Sequence, residues 1–147
     1  PDCRIFLLGA MDGVAQKAMA RINEAVGREM VVGAMSPSLG FENKEAENEL
    51  ICRTVNSSGA NVVLVGVGAP KQEKWIAAHG GAAGARLYIG LGGSLDVFAG
   101  KVERAPERFQ KLGLEWLYRL MKEPSRIGRM AKLPLFLVSA VGARLRG

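Results

Sequence analysis

Four short apolar runs divide the first ninety residues, and glycine-marked turns and longer stretches with apolar residues at helical spacing lie between them. Ile5-Phe6-Leu7-Leu8 predicts a strand over 4–8, and Gly9-Ala10-Met11-Asp12-Gly13 a turn into a helix over Val14–Val26. A second short strand is expected over 30–33. Ser36-Pro37-Ser38-Leu39-Gly40 reads as a loop, after which Asn43 or a neighbour caps an acidic helix reaching about residue 57. Val62-Val63-Leu64-Val65 is continuously apolar, as strands of a parallel sheet covered on both faces are. Gly66 and Gly68 let the backbone turn at its carboxyl end. Pro70 suits a first helical position, where a missing N–H costs nothing, so the next helix is expected over 70–79, with Gly80-Gly81 at its end. A fourth strand over 86–90 leads into Leu91-Gly92-Gly93-Ser94-Leu95-Asp96. Strands alternating with helices at this spacing predict right-handed βαβ units, an α/β fold with a Rossmann-like parallel sheet and flanking helices.

The pattern changes after Gly100. Ala105-Pro106 starts a helix in a basic stretch, and Leu114, Leu117, Tyr118 and Met121 recur at helical spacing with Trp116 beside them. Pro124 interrupts that run; Arg126, Arg129 and Lys132 then lead into Leu133-Pro134-Leu135-Phe136-Leu137-Val138. The expected organisation is an α/β core over 1–110 and a basic helical C-terminal appendage over 111–147.

A chain of 147 residues suffices for one sizeable core, and 48% hydrophobic with 23% charged residues argues against disorder. No apolar run reaches the roughly 18 residues a membrane-spanning helix needs. No signal peptide is visible, since Pro1-Asp2-Cys3-Arg4 runs directly into the expected strand. A chain opening without Met, almost inside a strand, is expected to be part of something longer. Cys3 and Cys52 have neither metal-ligand nor disulfide spacing and read as idle thiols in a reducing compartment. His79 is the single histidine, which leaves little material for Ser-His-Asp chemistry or a multi-histidine metal site. A contact with a helix C-terminus accounts for it.

The formal charge of +6 is unevenly placed. Residues 1–100 carry nine Lys/Arg against ten Asp/Glu, residues 101–147 eleven against four. The excess therefore lies in the last third, which points to an anionic partner for that segment. Its apolar run flanked by cations suits a helix lying on an anionic membrane surface; a terminal helix packed on its own domain is the plainer alternative. Nucleic acid is disfavoured, because Trp116, Tyr118 and Phe136 sit at packing positions rather than interleaved with cations as stacking platforms.

The glycine turns invite comparison with nucleotide sites. A dinucleotide fingerprint fails: Lys71 stands where a third glycine belongs, and the strand over 86–90 ends without an acidic residue for a ribose. A phosphate loop fails because no Gly-Lys-Ser/Thr closes any turn. What survives is a mononucleotide or diphosphate held by backbone N–H groups along one sheet edge, crowded by Lys71, Gln72, Ser94 and Asp96. Lys71 at a helix N-terminus can neutralise a diphosphate. Gln72 both donates and accepts, which suits a sugar hydroxyl or acetamido group. Its side chain is not expected to be needed by the turn itself. Asp96 either binds a hydroxyl or caps the following helix.

Gly66-Val67-Gly68-Ala69-Pro70-Lys71-Gln72-Glu73-Lys74-Trp75 resembles a signature of the WecG/TagA/CpsF glycosyltransferase family. So do Gly92-Gly93-Ser94-Leu95-Asp96, Ala99-Gly100-Lys101-Val102, Arg104-Ala105-Pro106 and the stretch from Leu112 to Leu120. The resemblance runs from about Cys3 into the basic tail and corresponds to the C-terminal two-thirds of the family domain. It implies an inverting, metal-independent transfer from a UDP-sugar, with no cofactor. The acceptor would be a polyprenyl-diphosphate-linked sugar. Typically N-acetylmannosamine passes to undecaprenyl-diphospho-N-acetylglucosamine in wall teichoic acid assembly. Relatives use other UDP-sugars (N-acetylmannosaminuronic acid, glucose, glucuronic acid) for common antigen or exopolysaccharide. It implies a cytoplasmic enzyme peripheral on the inner face of the bacterial membrane, with homo-oligomerisation open.

On the matching positions, Gln72 would be the catalytic-site side chain, and Gly66, Gly68, Lys71, Gly93, Ser94 and Asp96 would line the substrate site. Arg119, Arg126 and Arg129 of the appendage would close over the diphosphate. The family's general-base aspartate lies before the strand over 4–8, so no residue here inherits that role, neither Asp12 nor Asp96. This piece alone is expected to be inactive. The rival from another class is a nucleotide- or sugar-phosphate-binding module that never performs transfer.

Overall fold

The computed structural model describes residues 2–101 and 105–122. The chain divides into two compact units, residues 1–103 and 104–147. In the first, strands β1 (Ile5–Gly9), β2 (Val31–Met35), β3 (Val62–Gly66) and β4 (Leu87–Gly90) form one parallel sheet in the order β2-β1-β3-β4. Helices α1 (Val14–Val26), α2 (Glu45–Ser58) and α3 (Lys71–Ala83) make the crossovers, and the short α4 (Ser94–Phe98) follows β4. A 3-10 turn, Phe41–Asn43, precedes α2. The expected Rossmann-like α/β class is the observed one.

Two-residue alternation along the strands builds two cores. Phe6, Leu8, Val63 and Val65 point to one face, where they meet Phe41, Ile51, Val55, Trp75 and Ala83 from the α2 and α3 side. Leu7 and Val31 point to the other, against Ala18 of α1 and Leu95 of α4. Fully burying each such side chain contributes about 1.5–3 kcal/mol, so the sheet with helices on both faces is the dominant stabilising feature. β4 is one of the two edge strands, and its Leu87 and Ile89 remain exposed.

The boundaries differ from expectation where tertiary contacts outvote local signals. β2 runs two residues further than predicted, because pairing with β1 draws in Ala34 and Met35. Asn43 lies in the 3-10 turn rather than capping α2; Lys44 occupies the cap, with no side-chain capping bond. Pro70 precedes α3 after a cis peptide, and the helix passes through Gly80 and Gly81 to stop at Gly84, φ +77°. Gly80 stays helical because the Tyr88 ring packs against it and the Tyr88 hydroxyl donates to its carbonyl at 2.7 Å. His79 is therefore inside the helix, against the Trp75 ring at a centroid distance of 5.6 Å, and not at its end. Both thiols are free, and burial pushes that of Cys52 up, consistent with an idle role.

In the second unit, α5 (Glu107–Lys111) and α6 (Glu115–Lys122) are the described helices, and the Phe109 and Tyr118 rings pack at 5.5 Å. Among the described residues no helix is long and apolar enough to cross a membrane.

Candidate functional site

The strand order puts a reversal between β1 and β3: the chain leaves β1 for β2 on one side and returns through α2 to β3 on the other. In open α/β sheets the crevice at the carboxyl ends of such strands is where ligands bind. Here that edge is closed tightly. Gly9 and Gly66 are paired in register, and a Cβ on Gly9 would lie 2.5 Å from the Gly66 carbonyl carbon. The Ala10 N–H donates to the Gly66 carbonyl at 3.2 Å. A Cβ on Gly66 would meet Leu95 Cδ1 at 2.6 Å, so the turn after β3 also sits directly on α4. Ala10 takes φ +60°, an uncommon backbone state for a residue with a side chain. The Ser36 hydroxyl lies 3.2 Å from the Gly9 carbonyl and 3.0 Å from that of Met11, with one proton to donate to this pair.

Gln72, in the first turn of α3, is only 6% exposed. Its Oε1 accepts from the Gly92 N–H at 2.9 Å, and its Nε2 donates to Glu73 at 2.8 Å. The carboxamide lies over Gly90, where an added Cβ would be 2.5 Å from Nε2. Gln72 thus fastens the β4–α4 turn to the head of α3. The side chain thus serves the β4–α4 turn, a use the sequence expectation for the neighbouring turn after β3 did not include. The Leu91 N–H donates to the Val65 carbonyl at 2.8 Å, which ties the same turn to β3.

The other sequence-derived positions fall on this edge with different commitments. Gly66 ends β3, Gly68 and Gly93 lie in the two turns, and Ser94 opens α4, its hydroxyl donating to the Leu91 carbonyl at 2.9 Å. Asp96 lies inside the first turn of α4 and caps nothing; its carboxylate has no hydrogen bond or ion pair among the described residues. The capping alternative is therefore excluded. Lys71 reaches across to Glu42 on the 3-10 turn, Nζ to Oε1 at 2.5 Å. The hydrogen bond from the Lys71 ammonium, then one from Glu42's own backbone N–H, hold the Glu42 carboxyl below the usual glutamate range, with the charges of Lys71 and Lys44 adding to them. The other Glu42 oxygen is shielded from solvent and has no hydrogen-bond partner among the described residues. Arg119 is on α6 in the second unit, and Arg126 and Arg129 lie outside the described residues.

Sequence reasoning missed Ser36, Glu42 and Asn48, because a loop serine and two residues of an acidic segment carry no local signal of a site; Trp75 stood in the quoted signature without a role. It also missed how the loop after β2 is held. Glu47 of α2 accepts from the Ser38 N–H at 2.7 Å and from its hydroxyl at 2.6 Å, and Lys44 Nζ reaches that hydroxyl at 2.6 Å. These bonds, foremost the one from the Ser38 hydroxyl, place the Glu47 carboxyl below its ordinary range. A depressed carboxyl contributes stability above its unfolded value, lost as pH falls through the folded one. The drop in melting temperature between pH 7 and pH 3 is therefore expected to be smaller in Glu47→Gln than in the parent chain. An equal drop would show that the bonds do not hold in solution.

Comparison with known proteins adds independent findings. Residues 1–147 match the model of the glycosyl transferase WecG/TagA/CpsF family. Among curated proteins, the chain is similar to those named N-acetylglucosaminyldiphosphoundecaprenol N-acetyl-beta-D-mannosaminyltransferase in Staphylococcus aureus strains MRSA252 and MW2. It is 32% identical to each over 145 residues, covering 96% of this chain and 53% of each relative. It thus spans about half the length of the curated relatives it matches.

Proposed function

The chain belongs to the WecG/TagA/CpsF glycosyl transferase family, and from that premise we propose that it forms the donor side of a transferase moving a sugar from UDP onto a polyprenyl-diphosphate-linked N-acetylglucosamine. N-acetylmannosamine is the donor sugar this reading names first, after the relatives' activity. The observation that carries it is the meeting of the turns after β1, β3 and β4 at one edge, with Gln72 buried between the latter two.

The chemistry is a single displacement with inversion. An acceptor hydroxyl oxygen bonds to the anomeric carbon as the bond from that carbon to the UDP oxygen breaks, and the hydroxyl proton passes to a base. No residue of this chain is assigned as that base. Backbone N–H groups at the head of α3, whose dipole favours anions, hold the diphosphate. Lys71 neutralises charge developing on the departing UDP once freed from Glu42. Arg119, Arg126 and Arg129 are assigned the same work. These cations stand in for a divalent ion, so the transfer is proposed to need none. The excess of basic residues beyond 100 supports peripheral attachment to the anionic inner face of the bacterial membrane.

The decisive experiment uses a protein of the relatives' full length with UDP-N-acetylmannosamine and a lipid-diphosphate N-acetylglucosamine acceptor. Release of UDP with formation of the disaccharide-lipid is the expected outcome. Nucleotide binding without UDP release would instead favour a binding module. Transfer from another UDP-sugar would keep the enzyme and change its donor.

A further inference from the structure

Asn48 is 3% exposed in the first half of α2, one of two buried polar side chains among the described residues, and its carboxamide is almost fully used. Nδ2 donates to the Phe41 carbonyl at 2.9 Å and to the Lys44 carbonyl at 3.0 Å, while Oδ1 accepts from the Trp75 indole at 2.9 Å. Phe41 and Lys44 bracket the turn that carries Glu42, and Glu42 holds Lys71. Lys71 and Trp75 are one helical turn apart on α3, and Trp75 is 2% exposed. The contacts therefore close a circuit: α3 through Lys71 to Glu42, along the turn to Asn48, and through Trp75 back to α3.

Such a circuit constrains direction as well as stability. A lysine stem has four rotatable bonds, and its ammonium stays where its partner is. The backbone of Glu42 belongs to the Phe41–Asn43 turn, and that turn cannot shift without leaving buried amide groups unpaired, which costs about 1–3 kcal/mol per group. We propose that Asn48 is a positioning residue for the nucleotide edge: anchored by Trp75, it sets the turn bearing Glu42 and thereby aims Lys71 across the head of α3. The proposal rests on the reading of that edge as a diphosphate site. Displacement of Glu42 by a ligand phosphate then frees an ammonium that already stands in the correct place, rather than one recruited from solvent.

A purely structural Asn48 would lower stability and leave the chemistry of the pair alone. Two readouts separate these roles in the 147-residue chain. The first is the NMR titration of the Glu42 carboxyl, which Lys71 faces from α3 and Lys44 from its own turn. Asn48→Ser and Trp75→Phe are expected to move its midpoint upward, toward the value in Lys71→Gln, whereas Ile51→Val, a core change on the same helix, leaves it in place. The second is UDP binding by calorimetry. Asn48→Ser weakens it about fivefold in the parent chain and leaves it nearly unchanged in a Lys71→Gln background, the mark of coupling between the two sites.

A Glu42 midpoint unmoved in both Asn48→Ser and Trp75→Phe overturns the positioning role. So does an equal loss of UDP affinity in both backgrounds. If Asn48→Ser does not fold, Trp75→Phe, which keeps an aromatic ring in the core and removes the donor, decides the matter. Failure of every protein to bind UDP counts against the nucleotide reading alone, and the titration still decides the positioning.

Discussion

Replacing Gly9 with alanine is expected to cost about 3 kcal/mol or more and to lower the melting temperature by roughly 10 °C. Two effects add. Gly9 has φ +136°, outside the range a residue with a Cβ adopts without strain. The new Cβ would also lie 2.5 Å from the Gly66 carbonyl carbon and 2.6 Å from its oxygen, both backbone atoms of the neighbouring strand. Backbone atoms cannot rotate away as a side-chain tip can, so relief requires parting β1 from β3 at their carboxyl ends. That is the crevice where the ligand is proposed to sit, and nucleotide binding should fall with stability. Gly13, four residues on, provides the control. It also has a positive φ, +73°, but a Cβ there would meet nothing within 4 Å, and Gly13→Ala is expected to cost only about 1 kcal/mol. Thermal melts of the two variants test the difference. Equal, small shifts would mean that the β1–β3 contact is looser than the structure has it.

Gln72→Ala should damage both fold and function. Truncation leaves the half-buried Gly92 N–H without its acceptor and opens space above Gly90, at a cost of about 2 kcal/mol. Transfer by a full-length protein should drop by about a hundredfold, because a catalytic turn displaced by an ångström loses that much without any change in its own residues. Gly90→Ala supplies the second arm. Alone it should destabilise, since its Cβ would stand 2.5 Å from the nitrogen of the Gln72 carboxamide, a group that one hydrogen bond at its nitrogen and one at its oxygen hold in place. Beside Gln72→Ala the same substitution fills the vacated space and should cost about 1 kcal/mol less. Strict additivity in the double variant would show that the Gln72 carboxamide does not lie over Gly90. An intact melting temperature with lost transfer would restore Gln72 to direct contact with the sugar.

These two predictions differ in how far the sequence foresaw them. Gly66, Gly68 and the Lys71-Gln72 pair stood out in the sequence because glycine at a strand's end and a polar pair at a helix's start are local signals. That Gln72 turns inward, to an N–H twenty residues away, was not legible. Either direction is open to a first-turn glutamine, and the choice is made by Gly90, whose missing side chain leaves room beneath it. Lys71 likewise looked like a free cation at a helix N-terminus and is instead paired with Glu42, brought near by the loop after β2. Asp96 was open between capping and binding until the start of α4 at Ser94 put it past the capping position.

The sequence by itself determined the alternation of strands and helices, the apolar faces that form two cores, and the placing of most of the positive charge beyond residue 100. It could do so because strand and helix periods repeat within a few residues, and charge is a property of composition. Only the tertiary structure decided that β1 lies between β2 and β3, that Gly9 is pressed against Gly66, and that α3 begins between Glu42 and Gly92. Those are contacts between segments 20 to 57 residues apart. They follow from how the sheet closes over its two cores, and no local pattern encodes them.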